Sequence, residues 1–377
     1  ANLQSITAGM LATTSGTANS SSVLRGDNTW VTGALTDTVR TVTAGGNTLA
    51  TGETLAFTAG TGITIAESAG AVTITNSSSG GASALSGLSD VLIDATNWTE
   101  GFLIQPDSNG SAPTTGTLNG ATYNVGIGAD ALMQITSGHH NIAFGMEAGR
   151  GFTSGQRNIS IGGNSMWTGG TQSKNVAIGY NAMSACTNGS DSNVGIGYAA
   201  LSGAVAADEL VAIGEYAGSA HTSGTGAVYL GKSAGAANTT GSRNIALGYQ
   251  ALDASDTHDD NIAIGYDAMG AADGAIGCVV VGNYAGDAIA GGAYNTIVGH
   301  GAGSQLSSGY GNTFFGYNAG AYGNHVYSIA IGYGAMMSAD NTGDHNIAVG
   351  NWAMQNGSLT GDYNVGVGYK AGYNLGG

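Results

Sequence analysis

Two adjacent histidines are the residues whose type comes nearest to metal chemistry. If several chains surrounded a common axis, His139 and His140 would gather imidazole nitrogens near one level, and such nitrogens bind zinc readily. No carboxylate or cysteine stands beside the pair, and it directly precedes the asparagine that opens a strand-like segment. We therefore interpret the two histidines as a polar turn and predict no metal there.

The densest acidic loop is the second candidate for a metal site. Asp256, His258, Asp259 and Asp260 lie close together in the sequence, and carboxylate oxygens suit calcium. The Asp-x-Asp-x-Asp-Gly spacing of a calcium-binding loop is absent, as is the glycine-rich nonapeptide of calcium-binding β-rolls. A solvated loop is the preferred interpretation.

Catalysis finds little support in the residue pattern. A polysaccharide hydrolase needs two carboxylates at a fixed separation in a groove. Pairs can be chosen among the 24 acidic residues, but none stands with an aromatic cluster on which sugars would stack. The abundant glycines are interpreted as corner formers and not as phosphate-binding loops. We predict no enzyme activity, no catalytic residues and no cofactor.

The composition excludes several classes of protein. The 377 residues include 68 glycines and 2 prolines, and 8% are charged, against roughly 25% in an average protein. The glycines follow no Gly-X-Y period, which excludes collagen. The net charge of −16 has the wrong sign for binding nucleic acid or anionic lipid. Cys186 and Cys278 cannot form a disulfide framework, and no apolar run approaches a membrane span, so we expect no membrane insertion.

A repeat that begins at residue 124 defines the fold. Its pattern is Asn, apolar, small, apolar, Gly, any, any, Ala, here numbered positions 1 to 8, and residues 261–268 are one copy. Position 9 is always Leu, Met or Gly. The position-5 glycine occurs 15 times at separations of nearly always 17 residues, and each copy is called a coil, numbered 1 to 15. These glycines are Gly128, Gly145, Gly162, Gly179, Gly197, Gly214, Gly231, Gly248, Gly265, Gly282, Gly299, Gly316, Gly332, Gly350 and Gly368.

Alternating apolar residues at positions 2 and 4 predict one short strand in each coil, and the coil length leaves room for a second short strand around the Ala-Met or Ala-Gly pair at positions 8 and 9. A strand this short must stack on its neighbours to bury its apolar side chains, which is the physics of a solenoid. Polar return loops such as residues 239–241 carry Gly and Thr turn chemistry and absorb the one-residue length changes. We predict an all-β fold, a parallel β-solenoid (β-roll) of 15 coils with a 17-residue period.

Small residues at position 3 are predicted to form an interface between chains. Position 3 alternates with positions 2 and 4 and is therefore expected to point away from the coil's own core. It is Gly, Ala or Ser in 11 of 15 copies, which favours close packing of identical columns in a homotrimer about one long axis. The predicted interface alanines are Ala143, Ala177, Ala212, Ala246, Ala263, Ala330 and Ala348. The bulky exceptions Tyr229, Val280, Ile297 and Phe314 are expected where the chains separate slightly.

Tyrosine recurs at position 6 and is the candidate for contacts with a surface ligand such as a glycan. Stacking of these rings along a corner of the solenoid is the simpler interpretation. The tyrosines are Tyr180, Tyr198, Tyr249, Tyr266, Tyr317, Tyr333 and Tyr369. Asparagine at position 1, present in 11 of 15 copies, is interpreted as a buried amide ladder that satisfies backbone groups.

The first third of the chain lacks the repeat and precedes it as an extended β-rich fibre region. Residues 1–40 are interpreted as an N-terminal fibre and attachment segment, 41–76 as a short β-rich segment, and 77–123 as a linker and β connector before the repeat shaft of 124–377. The second segment predicts strands at 41–43, 54–58, 62–65 and 71–75. None is long enough to hold a core alone, so we expect intertwining with sister chains.

Two stretches and the coil motif resemble known families. Gly16-Thr17-Ala18 followed by residues 24–30, Leu-Arg-Gly-Asp-Asn-Thr-Trp, resembles a segment of bacteriophage tail-fibre proteins, and residues 85–128 are similar to proteins of phages that infect marine cyanobacteria. The Asn-Ile-Ala-Ile-Gly coil resembles the head repeat of trimeric autotransporter adhesins, which implies a left-handed β-roll. It also resembles phage fibres with a self-cleaving C-terminal chaperone. No chaperone or anchor sequence follows coil 15, so the expectation is a chaperone that was cleaved away or is absent.

These resemblances imply a structural virion fibre, the shaft of a phage tail fibre, which supports or performs attachment to a host surface. They imply a location on the virion surface, contacts with other virion proteins at the N-terminal end, and a host glycan or protein as receptor. Two alternatives stay open: the head of a cell-surface trimeric adhesin, and a polysaccharide-degrading tailspike. An ice-binding solenoid ranks last because no Thr-x-Thr ladder recurs along the coils.

Overall fold

The structure is a computed structural model. It describes residues 91–95, 97–105, 113–187, 189–203, 206–254, 259–338, 343–356 and 360–374, together with six short strands that precede residue 77. Strands, turns and irregular segments make up these ranges, which contain no helix. The second strand predicted at positions 8 and 9 was wrong, because these residues form turns, as at Ala268 and Met269. The chain divides into two units, Ala1–Ser79 and Gly80–Gly377.

The first unit contains three small antiparallel pairs of strands. Strand β1 (Ser22–Leu24) pairs with β2 (Trp30–Thr32), β3 (Thr43–Ala44) with β4 (Asn47–Thr48), and β5 (Ile63–Ser68) with β6 (Ala71–Asn76). The strands predicted at 62–65 and 71–75 correspond to the β5–β6 pair. The predicted strand at 54–58 and the fibre-like residues 16–18 and 25–29 lie outside the described residues.

The second unit is one continuous sheet that stacks along the repeat. Its first strands are β7 (Val91–Ala95), β8 (Trp98–Ile104) and β9 (Ala121–Thr122). One three-residue strand per coil then follows: β10 (Val125–Ile127), β11 (Ile142–Phe144), β12 (Ile159–Ile161), β13 (Val176–Ile178), β14 (Val194–Ile196), β15 (Val211–Ile213), β16 (Val228–Leu230), β17 (Ile245–Leu247), β18 (Ile262–Ile264), β19 (Val279–Val281), β20 (Thr296–Val298), β21 (Thr313–Phe315), β22 (Ile329–Ile331), β23 (Ile347–Val349) and β24 (Val365–Val367).

Each of these strands pairs with the next in parallel and in register with the repeat. In coils 8 and 9, for example, Ile245 faces Ile262 and Leu247 faces Ile264. The predicted parallel β-solenoid and its period are confirmed by this ladder. Strand β8 adds one rung before coil 1, since Phe102 pairs in parallel with Val125. Strand β7 then covers β8 in antiparallel pairing.

The position-5 glycines are required because successive coils approach too closely for a side chain. Gly265 has φ +140°, a conformation that L side chains rarely adopt. A Cβ atom built there would lie 2.6 Å from both the carbonyl carbon and the oxygen of Gly282 in the next coil. Backbone stacks directly on backbone at this corner, so glycine recurs there in every coil.

Three further corners use the left-handed conformation at residues other than glycine. In coil 9 they are Asp260, just before position 1, Asp267 at position 7 and Met269 at position 9, with φ of 60°, 55° and 55°. Such a conformation costs about 1–2 kcal/mol per residue. Hydrogen bonds between coils offset this cost: the Asp267 N–H donates to Tyr249 O at 2.9 Å and the Met269 N–H to Ala285 O at 3.0 Å.

The position-3 residues face the interior of the coil, so the predicted direction of this face was wrong. All seven predicted interface alanines are fully buried within a single chain: Ala143, Ala177, Ala212, Ala246, Ala263, Ala330 and Ala348. In coil 9 the same interior contains Ala268 and Met269. The physical reason is that the position-3 alanine shares the coil interior with the large side chain at position 9, here Met269, so a methyl group on the strand is enough to fill the remaining space.

The bulky position-3 residues also fill the interior and do not mark a separation of chains. Tyr229, Val280, Ile297 and Phe314 are all fully buried. Each is matched by glycine at position 9 of the same coil, namely Gly235, Gly286, Gly303 and Gly320. A Cβ atom at Gly320 would lie 2.5 Å from the Phe314 ring. Where position 3 is alanine, as at Ala263, position 9 is usually Leu or Met. A large side chain at one of these positions thus accompanies a small residue at the other, and the coil interior stays filled.

The position-1 asparagines form the predicted amide ladder. The Asn261 N–H donates to Asn244 Oδ1 at 3.0 Å, and Asn261 Nδ2 donates to Ala275 O at 2.8 Å. Both asparagines are fully buried. The side chains thus satisfy backbone groups that the tight return loops leave without a strand partner. Cys186 and Cys278 are buried free thiols, and burial raises the pKa of Cys186 to about 11.

Candidate interaction surfaces

The position-2 and position-4 side chains of β10–β24 form an apolar surface, here called the outer strip. They are Val, Ile, Leu, Phe or Thr in every coil, with no charged residue. None is buried in the single chain. Leu247 is 42% exposed, and the largest side chains, Phe144 and Phe315, are 53% and 58% exposed. A continuous apolar surface of this kind on a folded chain marks a site of contact with another surface.

The predicted tyrosines form two groups of neighbouring rings beside the strip, one in coils 4 and 5 and one from coil 8 onward, together here called the tyrosine column. All seven (Tyr180, Tyr198, Tyr249, Tyr266, Tyr317, Tyr333 and Tyr369) are exposed. The rings of Tyr249 and Tyr266 lie 5.2 Å apart at 11°, and those of Tyr317 and Tyr333 lie 4.9 Å apart at 11°. Parallel rings cover each other's faces, and a sugar needs a free face to stack on. This geometry favours the structural interpretation of the column.

Sequence reasoning missed the aromatic residues that fill gaps in the column. Tyr216, Tyr284 and Trp352 at position 7 and His300 at position 6 contact the neighbouring rings. The column is thereby continuous from Tyr249 to Tyr369. The signal was present in the sequence: in coils 6, 10 and 14 an aromatic residue at position 7 accompanies a polar residue at position 6.

A second aromatic column was also missed. It contains Tyr294, Tyr310, Tyr327, His345 and Tyr363, all exposed, with ring centroids 4.8 to 5.5 Å apart. Its members stand one or two residues before position 1, in loops of varying length. A search at fixed repeat positions therefore does not align them.

The histidines and acidic residues considered for metal binding engage one another or the backbone. His139 Nδ1 and His140 Nδ1 are 2.8 Å apart, and burial, followed by His140 and Arg157, lowers the pKa of His139. Asp259 Oδ1 accepts a hydrogen bond from the Ser242 N–H at 2.7 Å. Asp260 pairs with Arg243 at 2.6 Å, whereas Asp256 and His258 lie outside the described residues. Within the described ranges no group of three potential ligands occurs.

One segment of the sequence has the residue spacing of a phosphate-binding loop. Residues 226–233 read Gly-Ala-Val-Tyr-Leu-Gly-Lys-Ser, which fits Gly-x-x-x-x-Gly-Lys-Ser. The structure places β16 in the middle of this segment, and the N–H groups of Val228, Gly231 and Ser233 donate to carbonyl groups of adjacent coils. Lys232 Nζ lies 3.1 Å from Glu215 Oε2. The backbone N–H groups that would cradle a phosphate are thus already used.

A buried histidine predicts that the stability of the solenoid decreases at acidic pH. His325 Nε2 donates to Tyr322 O at 3.0 Å, and Nδ1 has no hydrogen-bond partner among the described residues. Burial lowers the pKa of His325, although the nearby Asp344 favours its protonated form. The unfolded state therefore binds more protons once the pH falls below about 6.5, so the free energy of unfolding decreases from there until the lowered folded pKa is passed. Urea unfolding at stepped pH measures this decrease.

The matched variant is His325→Ala, because alanine stands at the equivalent place in coil 9 as Ala275. We expect a shallower loss of stability between pH 7 and 5, roughly the range in which histidine titrates. An unchanged slope would show that His325 is not the group responsible.

Comparison with protein-family models, curated proteins and solved structures finds no match to this chain. The described part of the chain contains no helix with the length and apolar character needed to span a bilayer. Fold and surfaces together define a parallel β-solenoid with one apolar face and two exposed aromatic columns.

Proposed function

We propose that this chain is the shaft of a virion fibre, in which three copies pack through their outer strips and hold an attachment surface away from the particle. The outer strip is the observation that carries the proposal. It is apolar in every coil and unburied in one chain. Attachment to a host surface and the virion location come from the resemblance to phage fibres, and so does contact with other virion proteins at the N-terminal end.

A second copy of the same column is the partner that fits the outer strip best. The strip repeats at the rung spacing of about 4.8 Å, and only another parallel stack matches that spacing along its whole length. Fifteen rungs by about 10 Å of strand give roughly 700 Å² per chain, which a closed trimer divides between the two neighbours of each chain. Closed symmetry about the long axis covers the strip of every chain.

The number three and the left-handed coil sense rest on the resemblance to trimeric adhesin heads and stay predictions. A virion fibre and an adhesin head would pack in the same way, so only the location of the protein distinguishes these two functions. Antibody labelling of intact virions tests the first, and labelling of cell surfaces tests the second. A chain found on cells and not on particles would replace the fibre proposal by the adhesin head.

Replacing Leu247 by glutamate is expected to dissociate the assembly without unfolding the chain. The side chain is 42% exposed in the single chain, so a monomer would tolerate the charge. Three carboxylates near one axis would repel each other strongly in a dehydrated interface. Light scattering with size exclusion should give three chain masses for the native protein and one for Leu247→Glu, with the same circular dichroism spectrum.

Thr240→Glu is the control, because Thr240 is an exposed residue of a return loop. It should keep the mass of three chains. A native protein that is monomeric at micromolar concentration, or a Leu247→Glu variant that remains trimeric, contradicts packing through the outer strip.

A further inference from the structure

The return loops of coils 1 to 4 border a shallow, open cleft that neither the tyrosine column nor the second aromatic column touches. Its larger part, about 410 Å³, is lined among others by Gln134, Gly151, Thr168 and Gly169. A smaller part of about 220 Å³ shares those four residues and adds Arg150 and Trp167. Pockets that bind small molecules commonly have volumes of about 300–1,000 Å³. None of the residues that line the cleft belongs to the outer strip.

Local sequence explains why the cleft occurs at this place. Gly151 and Gly169 contribute no side chains to the loop corner, and a Cβ atom at Gly151 would lie 2.5 Å from Gly169 O. Position 10 is large in coils 2 and 3, as Arg150 and Trp167, and small in coil 4, as Ser184. The tryptophan therefore stands at a step in the surface, where it is 40% exposed.

Arg150 is positioned to receive an anion. Its Cζ lies 5.7 Å from the centre of the Trp167 ring. Its Nε is buried, lies 3.6 Å from Glu147 Oε1 and makes no hydrogen bond among the described residues, so the Nη atoms are the ones that an anion would contact. A guanidinium is a planar fork of donors that matches a carboxylate. This one has a single long ionic contact and borders a cleft.

We infer that this cleft binds a saccharide that carries a carboxylate. Arg150 covers one face of the Trp167 indole, and the rest of its exposed surface offers an apolar contact for a pyranose ring and an N–H for a hydroxyl group. Gln134 supplies an amide, and Thr168, whose hydroxyl donates to Ser184 O at 2.9 Å, supplies an acceptor for a sugar hydroxyl. Arg150 binds the carboxylate with charge-assisted hydrogen bonds, which distinguishes an acidic sugar from a neutral one. The inference deepens the attachment part of the proposed function by naming the chemistry of the surface ligand.

The test uses the full chain with ¹⁵N-labelled tryptophan. Its 4 tryptophans give separate indole signals in an NMR titration. The probes are trigalacturonate and sialyllactose, each paired with its neutral counterpart, galactotriose and lactose. With at least one acidic probe, one indole signal should shift saturably at millimolar concentration, and that signal should be missing in Trp167→Ala. Arg150→Gln should weaken binding of that probe at least about tenfold, the effect of one charge-assisted contact of about 1.4 kcal/mol, to the level of its neutral counterpart.

Two matched variants serve as controls. Trp352→Ala removes a tryptophan of the tyrosine column, and Arg243→Gln removes an arginine paired with Asp260. Both should leave binding unchanged. Absence of any saturable shift with both acidic probes, or equal binding by Arg150→Gln, overturns the inference. The chain mass in solution is measured separately, so this failure is distinct from failure of the trimer.

Discussion

Replacing Ala263 by glutamate is expected to destabilise the column by several kcal/mol. Ala263 is fully buried and lies in register between Ala246 and Val280. Its coil interior holds Ala268 and Met269, neither of which can pair with a carboxylate. An unpaired buried carboxylate costs several kcal/mol even after relaxation, a large share of a typical total stability of about 5–15 kcal/mol. Urea unfolding followed by circular dichroism should show a much lower midpoint.

Ala237→Glu provides the control, because Ala237 is an exposed alanine of a return loop. Its midpoint should stay close to that of the native protein. The effects of Ala263→Glu on the unfolding midpoint and on the chain mass also show whether position 3 faces the coil interior or another chain. If Ala263→Glu left the spectrum and midpoint intact and only lowered the chain mass, the alanines would lie between chains and the buried position observed here would be wrong.

Strand positions could be predicted from the sequence because the repeat reports them directly. Each coil places β-branched residues at fixed distances from one glycine, and the structure has a strand at positions 2 to 4 of every coil. The amide ladder was also predictable, because a buried asparagine must satisfy its own groups and those nearby. Both inferences depend on local sequence alone.

The face that turns inward could not be read from alternation alone. A period of two places position 3 on one face of the strand and positions 2 and 4 on the other, but it does not show which face turns toward the coil interior. We expected larger apolar residues inside, as in a wide sandwich core. The coil interior is shared between positions 3 and 9, so Ala263 is interior beside the buried Met269 while Ile264 is partly exposed. The direction in which each strand faces is set by the stacked backbone and its corners, which alternation along the strand does not report.

The repeat pattern also predicts only part of the candidate surfaces. Tyr249 and Tyr266 were predictable as a column because they recur at one repeat position. Tyr284 joins that column from position 7, where a left-handed backbone with φ 55° redirects the side chain. Trp167 and Arg150 lie in return loops, where no periodic signal exists. Periodic residues build the shaft, and the residues best suited to recognise a ligand are those that depart from the period.

Exchanging the large residue Tyr229 for alanine and the small residue Gly235 for leucine in coil 7 is expected to show strong coupling between their effects on stability. Tyr229 is fully buried, and its hydroxyl lies 3.3 Å from His221 Nδ1. Tyr229→Ala should cost about 3–5 kcal/mol, the range for removing a buried aromatic ring. Gly235→Leu alone should also destabilise, because a Cβ atom at Gly235 overlaps the Tyr229 ring. The double variant recreates the alanine and leucine of coil 8, Ala246 and Leu252, and should be more stable than Tyr229→Ala.

The coupling decides whether volume exchange explains the bulky position-3 residues. Leucine at position 9 already adopts the required backbone, since Leu252 has φ 56°, so Gly235→Leu adds no conformation foreign to the solenoid. Denaturant unfolding of the native chain, both single variants and the double variant gives the interaction energy, expected at about 1–3 kcal/mol in favour of the double variant. Recovery should be partial, because Tyr229 also fills space beside Gly218 in coil 6. Simple additivity of the two single effects would mean that Tyr229 and Gly235 are independent, and the pairing of large and small residues across each coil would lose its physical basis.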